Sequence, residues 1–278
     1  MTAMNESTRL VVERNEMHDG VNHPVRIDVV AQGQGPRVVI LPSLGRASDE
    51  FDAIAASLVE AGYRVLRPAP RGIGGSDGPR TGVSLHDLAA DVLAVIASDG
   101  AGPAVIAGHA FGNWIARVAA GDRPDLVRAV MILAAGPRKV APLAIQGLEQ
   151  CLDLSLPDSQ RLPWLQATFF AKDNDASVWL DGWYPDAARL QRAAKAVTPI
   201  EGWWAAGGVP LLDVWAAEDA FAPEGTGWRL ADDLGDQVTS VRIANAGHAL
   251  IPEQPEKVAR AMVDFLNQLP HTTSGPAA

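Results

Sequence analysis

Runs rich in Val and Ile alternate along the chain with stretches in which apolar residues recur every three or four positions. The runs predict strands at Leu10–Arg14, Arg26–Val30, Val38–Leu41, Val65–Pro68, Ala104–Ala107 and Val130–Ala134, then at Leu211–Trp215 and Val241–Ala244. VVIL and VMILAA lack polar alternation, as expected of central parallel strands covered on both faces. The periodic stretches predict helices. Asp49–Gly62 opens on acids, sets Phe51, Ile54, Leu58 and Val59 along one face and stops at Gly62. Ser84–Ser98 repeats the pattern with Leu85, Leu88, Val92 and Ile96, and Pro255–Leu269 does so with Val258, Met262, Phe265 and Leu266. Such alternation predicts an α/β fold with a mostly parallel eight-stranded sheet flanked by helices.

After Val130–Ala134 the alternation breaks. Residues 137–208 are helical in period and hold Trp164, Phe169, Phe170, Trp179, Trp183, Tyr184, Trp203 and Trp204, half of the chain's aromatic residues. This predicts a helical cap inserted into one discontinuous sheet domain, residues 1–136 and 209–270, and lying over the strand ends. Most of these rings are expected to form the cap's own core. Trp164, Trp183 and, beyond the cap, Phe221 are the candidates for a ligand-facing wall, whereas Trp114 is expected to be structural. Residues 271–278, HTTSGPAA, are expected to form a disordered tail.

Composition narrows the partners. The 278 residues suffice for one large domain with an insertion, and a formal net charge of −10 without any Lys/Arg block argues against nucleic acid. Cys151 is the sole cysteine, so no intrachain disulfide, CxxC pair or zinc-type cluster can form, and no metal site is expected. The opening MTAMNESTRLVVERNE is polar, and no apolar run approaches the roughly 18 residues of a membrane span. A cytoplasmic protein without a membrane partner is expected; a homodimer stays open.

Chemistry enters with VIAGHAFGNW, residues 105–114: a β-branched run enters a Gly-x-x-x-Gly turn and leaves into a helical pattern. A turn that presents a nucleophile between strand and helix needs small residues at Gly108 and Gly112, because its backbone is forced into an unfavourable region. The helix that follows aims its free N–H groups at whatever sits above Ala110. Taken alone, the same letters also describe an ordinary βα turn. Two later segments add to them. VPLLDVWAAEDAFAP runs a strand into Glu218 and Asp219, and VRIANAGHALIPEQP runs another into Gly247 and His248. The order elbow, acid, histidine suits a base, His248, oriented by an acid. Asp219 is preferred to Glu218, which is expected to be solvated.

These segments resemble the α/β-hydrolase superfamily of the cap-bearing serine esterase type. The similarity runs from VVILPSLGRASDEFDAIAASLVEAGYRVLRPAPRGIGGSDGP through GHAFG and PLLDVWAAED to NAGHALIPEQP, from about Val38 to Leu269 apart from the cap. The resemblance implies a Ser-His-Asp acyl-enzyme route with Ala110 at the nucleophile's place, Asp219 and His248 as the other members, and the N–H groups of Phe111 and Leu44 as the oxyanion hole. The chain departs from the family pattern at Pro42-Ser43, where His-Gly is common, and at Ala69-Pro70, where an Asp usually precedes the RGIGGS turn.

Ala110 admits three readings. It stands for a serine whose replacement keeps the turn and stops acylation; or the enzyme is naturally serine-less, a cofactor-free dioxygenase or lyase using His248 and Asp219, or one in which Ser43 substitutes; or the chain binds a ligand without turnover. A C–C bond hydrolase would use the same three positions. The first reading implies a small hydrophobic ester as substrate and no cofactor. Ser43, Arg46, His109, Trp164, Trp183 and Phe221 are the substrate-binding candidates. Were Arg46 to reach inward, its guanidinium would suit the free carboxylate of an aromatic dicarboxylic monoester.

Overall fold

A computed structural model describes residues 6–18, 20–100, 102–136, 140–224 and 229–270. The expected tail, residues 271–278, lies outside them. The eight strands are β1 (Thr8–His18), β2 (Val21–Gln32), β3 (Arg37–Leu41), β4 (Arg64–Pro68), β5 (Ala104–His109), β6 (Val127–Leu133), β7 (Leu211–Ala216) and β8 (Val238–Ile243). They form one sheet in the order β1-β2-β4-β3-β5-β6-β7-β8. Both β1 with β2 and β2 with β4 run antiparallel, and every other pair is parallel. The first two strands are longer than the apolar runs suggested, because their outer residues alternate between exposed and buried and so hide from a search for continuous apolar stretches.

The nine helices among the described residues are α1 (Asp52–Glu60), α2 (Leu85–Ser98), α3 (Phe111–Asp122), α4 (Pro142–Leu152), α5 (Asp158–Phe169), α6 (Pro185–Ala196), α7 (Leu230–Leu234), α8 (Leu250–Glu253) and α9 (Pro255–Gln268). On one sheet face α1 and α9 bury Ile54, Leu58, Met262 and Phe265 with Val38, Ile40 and Leu212. On the other, α2 and α3 bury Leu88, Val92, Ile115 and Val118 with Ile27, Val39 and Ile106. Burying about 25 cal/mol per Å² of apolar surface on both faces is what holds such a sheet. Ser84 starts α2 with a reciprocal cap: its hydroxyl accepts from the Asp87 N–H, and the Asp87 carboxylate accepts from the Ser84 N–H.

The segment between β6 and β7 carries α4, α5 and α6 and lies over the C-terminal ends of β3, β5 and β8. Its own core joins Cys151, Leu165, Phe169, Phe170, Trp179 and Trp183. Trp203 and Trp204 depart from this: they pack into the sheet domain beside α3, with the Arg117 guanidinium 4.1 Å over the Trp204 ring. The aromatic density read from the sequence therefore serves two cores. The burial of Cys151 pushes its thiol up to about 12, leaving it inert as a nucleophile.

Candidate active site

The turn after β5 shows why its glycines are glycines. A Cβ on Gly108 would stand 2.4 Å from the backbone of Gly112 and Asn113, and one on Gly112 would stand 2.6 Å from the carbonyl oxygens of Leu41 and Pro42. Strand and helix thus meet without room for a methyl group. Between them Ala110 is held at φ 45°, ψ −108°, a strained conformation for a residue with a side chain. The Ala110 N–H donates to the Leu133 carbonyl at 2.9 Å, and the Ala110 carbonyl accepts from the Asn113 N–H at 3.2 Å and from the Asn113 side chain.

The acid and the histidine arrive from the two neighbouring strand ends. Backbone bonds from Ala217 to Ile243 and from Glu218 to Ala246, both 2.9 Å, tie the β7 and β8 exits together. Asp219, 2% exposed, then faces His248, 5% exposed, and its carboxylate accepts from His248 Nδ1 at 2.9 and 3.1 Å. Asp219 also accepts from the Phe221 N–H at 2.8 Å, and the Phe221 ring covers the imidazole at 4.2 Å between centroids. With the proton on Nδ1, the lone pair of His248 is on Nε2. Glu218 is exposed, as expected.

Elbow and histidine are joined through His109. Its ring is fully buried and Nε2–H donates to the His248 carbonyl at 2.8 Å. Its Nδ1 stands 3.8 Å from Glu50 Oε1, beyond hydrogen-bond reach. From the other side Glu253 binds the histidine loop: its carboxylate accepts from the N–H groups of Gly247 and Ala171 and from Asn174 Nδ2, each at 2.7 Å. Burial pushes the Glu253 carboxyl up, opposed by these donors. The Ala249 N–H donates to the Phe169 carbonyl at 2.7 Å, docking the loop on the end of α5.

A cavity of about 360 Å³ opens above Ala110. Ser43, Leu44, Phe111, Phe221 and His248 stand on its wall around Ala110, with Phe169 and the α4 residues Ile145 and Leu148 opposite. At the mouth are Lys195, exposed, and Arg192, which pairs with Glu149 at 2.6 Å. Phe111 begins α3, so its N–H has no intrahelical acceptor. Neither that N–H nor the one of Leu44 meets an acceptor among the described residues. Both residues stand on the wall beside Ala110, where a developing oxyanion could accept from them.

Five expectations change. Arg46 does not reach the cavity: it is 6% exposed, its Nη1 donates to the Asp181 carbonyl at 2.7 Å, its Nε donates to Glu50 Oε2 at 3.3 Å, and its guanidinium lies 4.5 and 4.9 Å from the rings of Trp179 and Trp183, in the corner these perpendicular rings form. Gly45 is the reason. Its N–H donates to Gln191 Oε1 and its carbonyl accepts from the Tyr184 N–H, so the loop turns its next side chain into the junction with the segment that carries α4 to α6. Trp183 is buried in that junction with its Nε1–H on the Trp179 carbonyl, and Trp164 packs against the core of the same segment; neither lines the cavity. His109 lies beneath the wall. Trp114, expected to be structural, does line it. Ile145 and Leu148, spaced for one helix face, and Glu253, five residues past the histidine, were the signals left unread.

Among the described residues no group of three or more His, Cys, Asp and Glu could hold a metal ion, and no helix is long and apolar enough to cross a membrane. Residues 38–261 match the model of the alpha/beta hydrolase family. The chain belongs to this family. Over 256 residues it is 25% identical to a candidate carbamate hydrolase, RutD, of Variovorax paradoxus, covering 87% of this chain and 96% of that one. Over 182 residues it is 26% identical to a 2-(acetamidomethylene)succinate hydrolase of Mesorhizobium japonicum, covering 64% and 60%. Its fold is also that of a thermophilic esterase of Thermogutta terrifontis, with a TM-score of 0.75 at 18% identity over 94% of this chain and 98% of that one.

Proposed function

We propose that the cavity is an acyl-transfer site for hydrophobic carboxylic esters, in which Ala110 takes the place of the serine that would form the acyl-enzyme. One observation carries this reading: a buried His248–Asp219 pair and two unpaired N–H groups are gathered around the strained residue at the head of α3. In it His248 Nε2 is the general base and returns the proton to the leaving group, Asp219 holds the imidazole and stabilises its charged form, and the Leu44 and Phe111 N–H groups receive the oxyanion. A methyl group has no lone pair, so no acyl-enzyme forms at Ala110. The apolar wall supports a hydrophobic substrate. The relatives named for carbamate and acetamido compounds support hydrolysis at an acyl carbon in general. With Arg46 engaged elsewhere, a monoester of a dicarboxylic acid has no support from that residue.

The test is Ala110→Ser, assayed with a fluorophosphonate probe and p-nitrophenyl esters. Labelling at residue 110 with ester turnover is expected. A folded serine variant that neither labels nor hydrolyses any ester would remove the reading.

A further inference from the structure

We propose that the Ala110 protein itself hydrolyses activated acyl compounds, aryl esters and thioesters, by direct attack of a water held between His248 Nε2 and Ser43 Oγ. The inference rests on the cavity reading above, keeping its base and its N–H donors while replacing the side-chain nucleophile. Two departures from the usual serine enzyme meet in this cavity. At the elbow, Ala110 ends at Cβ, so no hydroxyl at that position competes for Nε2. In the loop after β3, the hydroxyl of Ser43 makes no hydrogen bond to another described residue, although Ser43 is 6% exposed and stands on the cavity wall. Its hydroxyl opens on the cavity, so the partner it lacks in the protein is left to a molecule held there.

The rest of this wall is largely apolar: Leu44, Phe111, Phe169 and Phe221 face the same space. An ordered water needs two to four polar partners, so the positions open to one here are few. Nε2 accepts its proton, because Nδ1–H is already given to Asp219. The serine hydroxyl can donate to the water or accept from it. No other arrangement along this wall offers both a base and a hydroxyl beside two free N–H donors.

The step balances without a further reagent. The water oxygen forms a bond to the acyl carbon while its proton passes to Nε2, and the carbonyl π pair becomes an oxyanion received by the Leu44 and Phe111 N–H groups. Collapse of that intermediate breaks the bond to the aryloxide or thiolate, which takes the proton back from Nε2. Carboxylic acid and phenol or thiol leave, and His248 is neutral again. Attack by water needs a leaving group that departs with little help, which is why the substrate class is the activated one.

The experiment follows hydrolysis of p-nitrophenyl butyrate and a phenyl thioester by the unchanged protein, His248→Gln and Ser43→Ala, each first checked for folding by thermal melting. The unchanged protein is expected to show linear product release from the first turnover, no mass increase on quenching and a solvent deuterium isotope effect. His248→Gln should lower kcat by roughly 10²–10⁴ and abolish the pH inflection. Ser43→Ala should lower kcat about tenfold at unchanged KM and keep that inflection, a split that a merely structural loss would not give. Equal rates for the unchanged and His248→Gln proteins would overturn the inference, as would an acyl adduct found on Ser43 or His248. Should Ala110→Ser label with the fluorophosphonate while the Ala110 protein shows no His248-dependent turnover, this inference falls and the acyl-transfer reading stands. An inert serine variant beside a His248-dependent Ala110 protein gives the converse.

Discussion

The two sides of the cavity are built by different means. On the histidine side, side chains make the geometry: Asp219 takes Nδ1, His109 takes the backbone carbonyl, and Glu253 gathers Gly247, Ala171 and Asn174. Removing any of these groups would leave a buried donor or acceptor unpaired. On the elbow side the backbone makes the geometry, through two glycines at which strand, helix and loop touch, and the residue presented takes little part in holding it. The difference teaches that the strained turn is specified separately from the side chain it presents. Ala110 keeps φ 45° with nothing but a methyl group to show for it.

The sharpest way to exploit that separation is Ala110→Ser. Because the elbow is already formed, the substitution should raise kcat on p-nitrophenyl esters by up to about 10⁶ while shifting the unfolding midpoint little. A large loss of stability with no gain in rate would mean that the turn depends on its central residue after all.

Next comes the junction that joins the loop after β3 to the segment carrying α4 to α6. Arg46→Ala leaves Glu50 buried without its cation and empties the corner against Trp179 and Trp183. A cost of about 3–5 kcal/mol in urea unfolding is expected. In the Ala110→Ser background, charged and neutral esters should be affected alike, since the guanidinium does not face the cavity. Selective loss on charged esters would return Arg46 to the substrate.

Gly112→Ala tests the elbow's backbone. Its new methyl would sit 2.6 Å from two carbonyl oxygens that cannot swing aside, so about 1–3 kcal/mol of stability should be lost. Activity in the serine background should fall further than stability alone explains. The histidine side has one matching point, Gly247, where a Cβ would stand 2.5 Å from the Phe169 carbonyl oxygen; there the backbone contact adds to the side-chain bonds instead of replacing them.

The smallest effect contrasts two acids on one strand and its exit. Asp213 in β7 is as buried as Asp219, yet its Oδ1 has no partner, and desolvation pushes its carboxyl up to about 7 against the pull of Arg229 and Arg117. The folded chain therefore holds this proton where an unfolded aspartate, ionising near pH 3.9, releases it. Its contribution to stability is complete below about pH 4 and is lost as pH rises through about 7. Asp213→Asn should flatten the melting temperature across that window relative to the unchanged protein. Parallel curves would show that Asp213 is paired in solution.

All eight strands, the helices α1, α2, α3 and α9, and the order elbow, acid, histidine were legible because each is written locally. Continuous apolar runs mark strands buried on both faces, a 3.6-residue period marks helices, and glycines mark points of backbone contact. The choice of Asp219 over Glu218 was legible too, from depth in the turn. What lines the cavity was not. Arg46, Trp164 and Trp183 looked as suited to it as Ser43, Leu44 and Phe221, since a cation or an aromatic ring reads the same whether it meets a ligand or another part of the chain.

Only the packing of α5 and α6 on the strand ends separates those fates. It sends Arg46 against Trp179 and Trp183 and brings Phe169 and Lys195 to the wall beside Trp114 of α3. These contacts join residues more than a hundred positions apart, as Gly45 with Gln191 shows. Residue types and spacing carry the fold and the meeting of the elbow with the Asp219–His248 pair; which side chains line the cavity there depends on surfaces that meet only when the chain has closed.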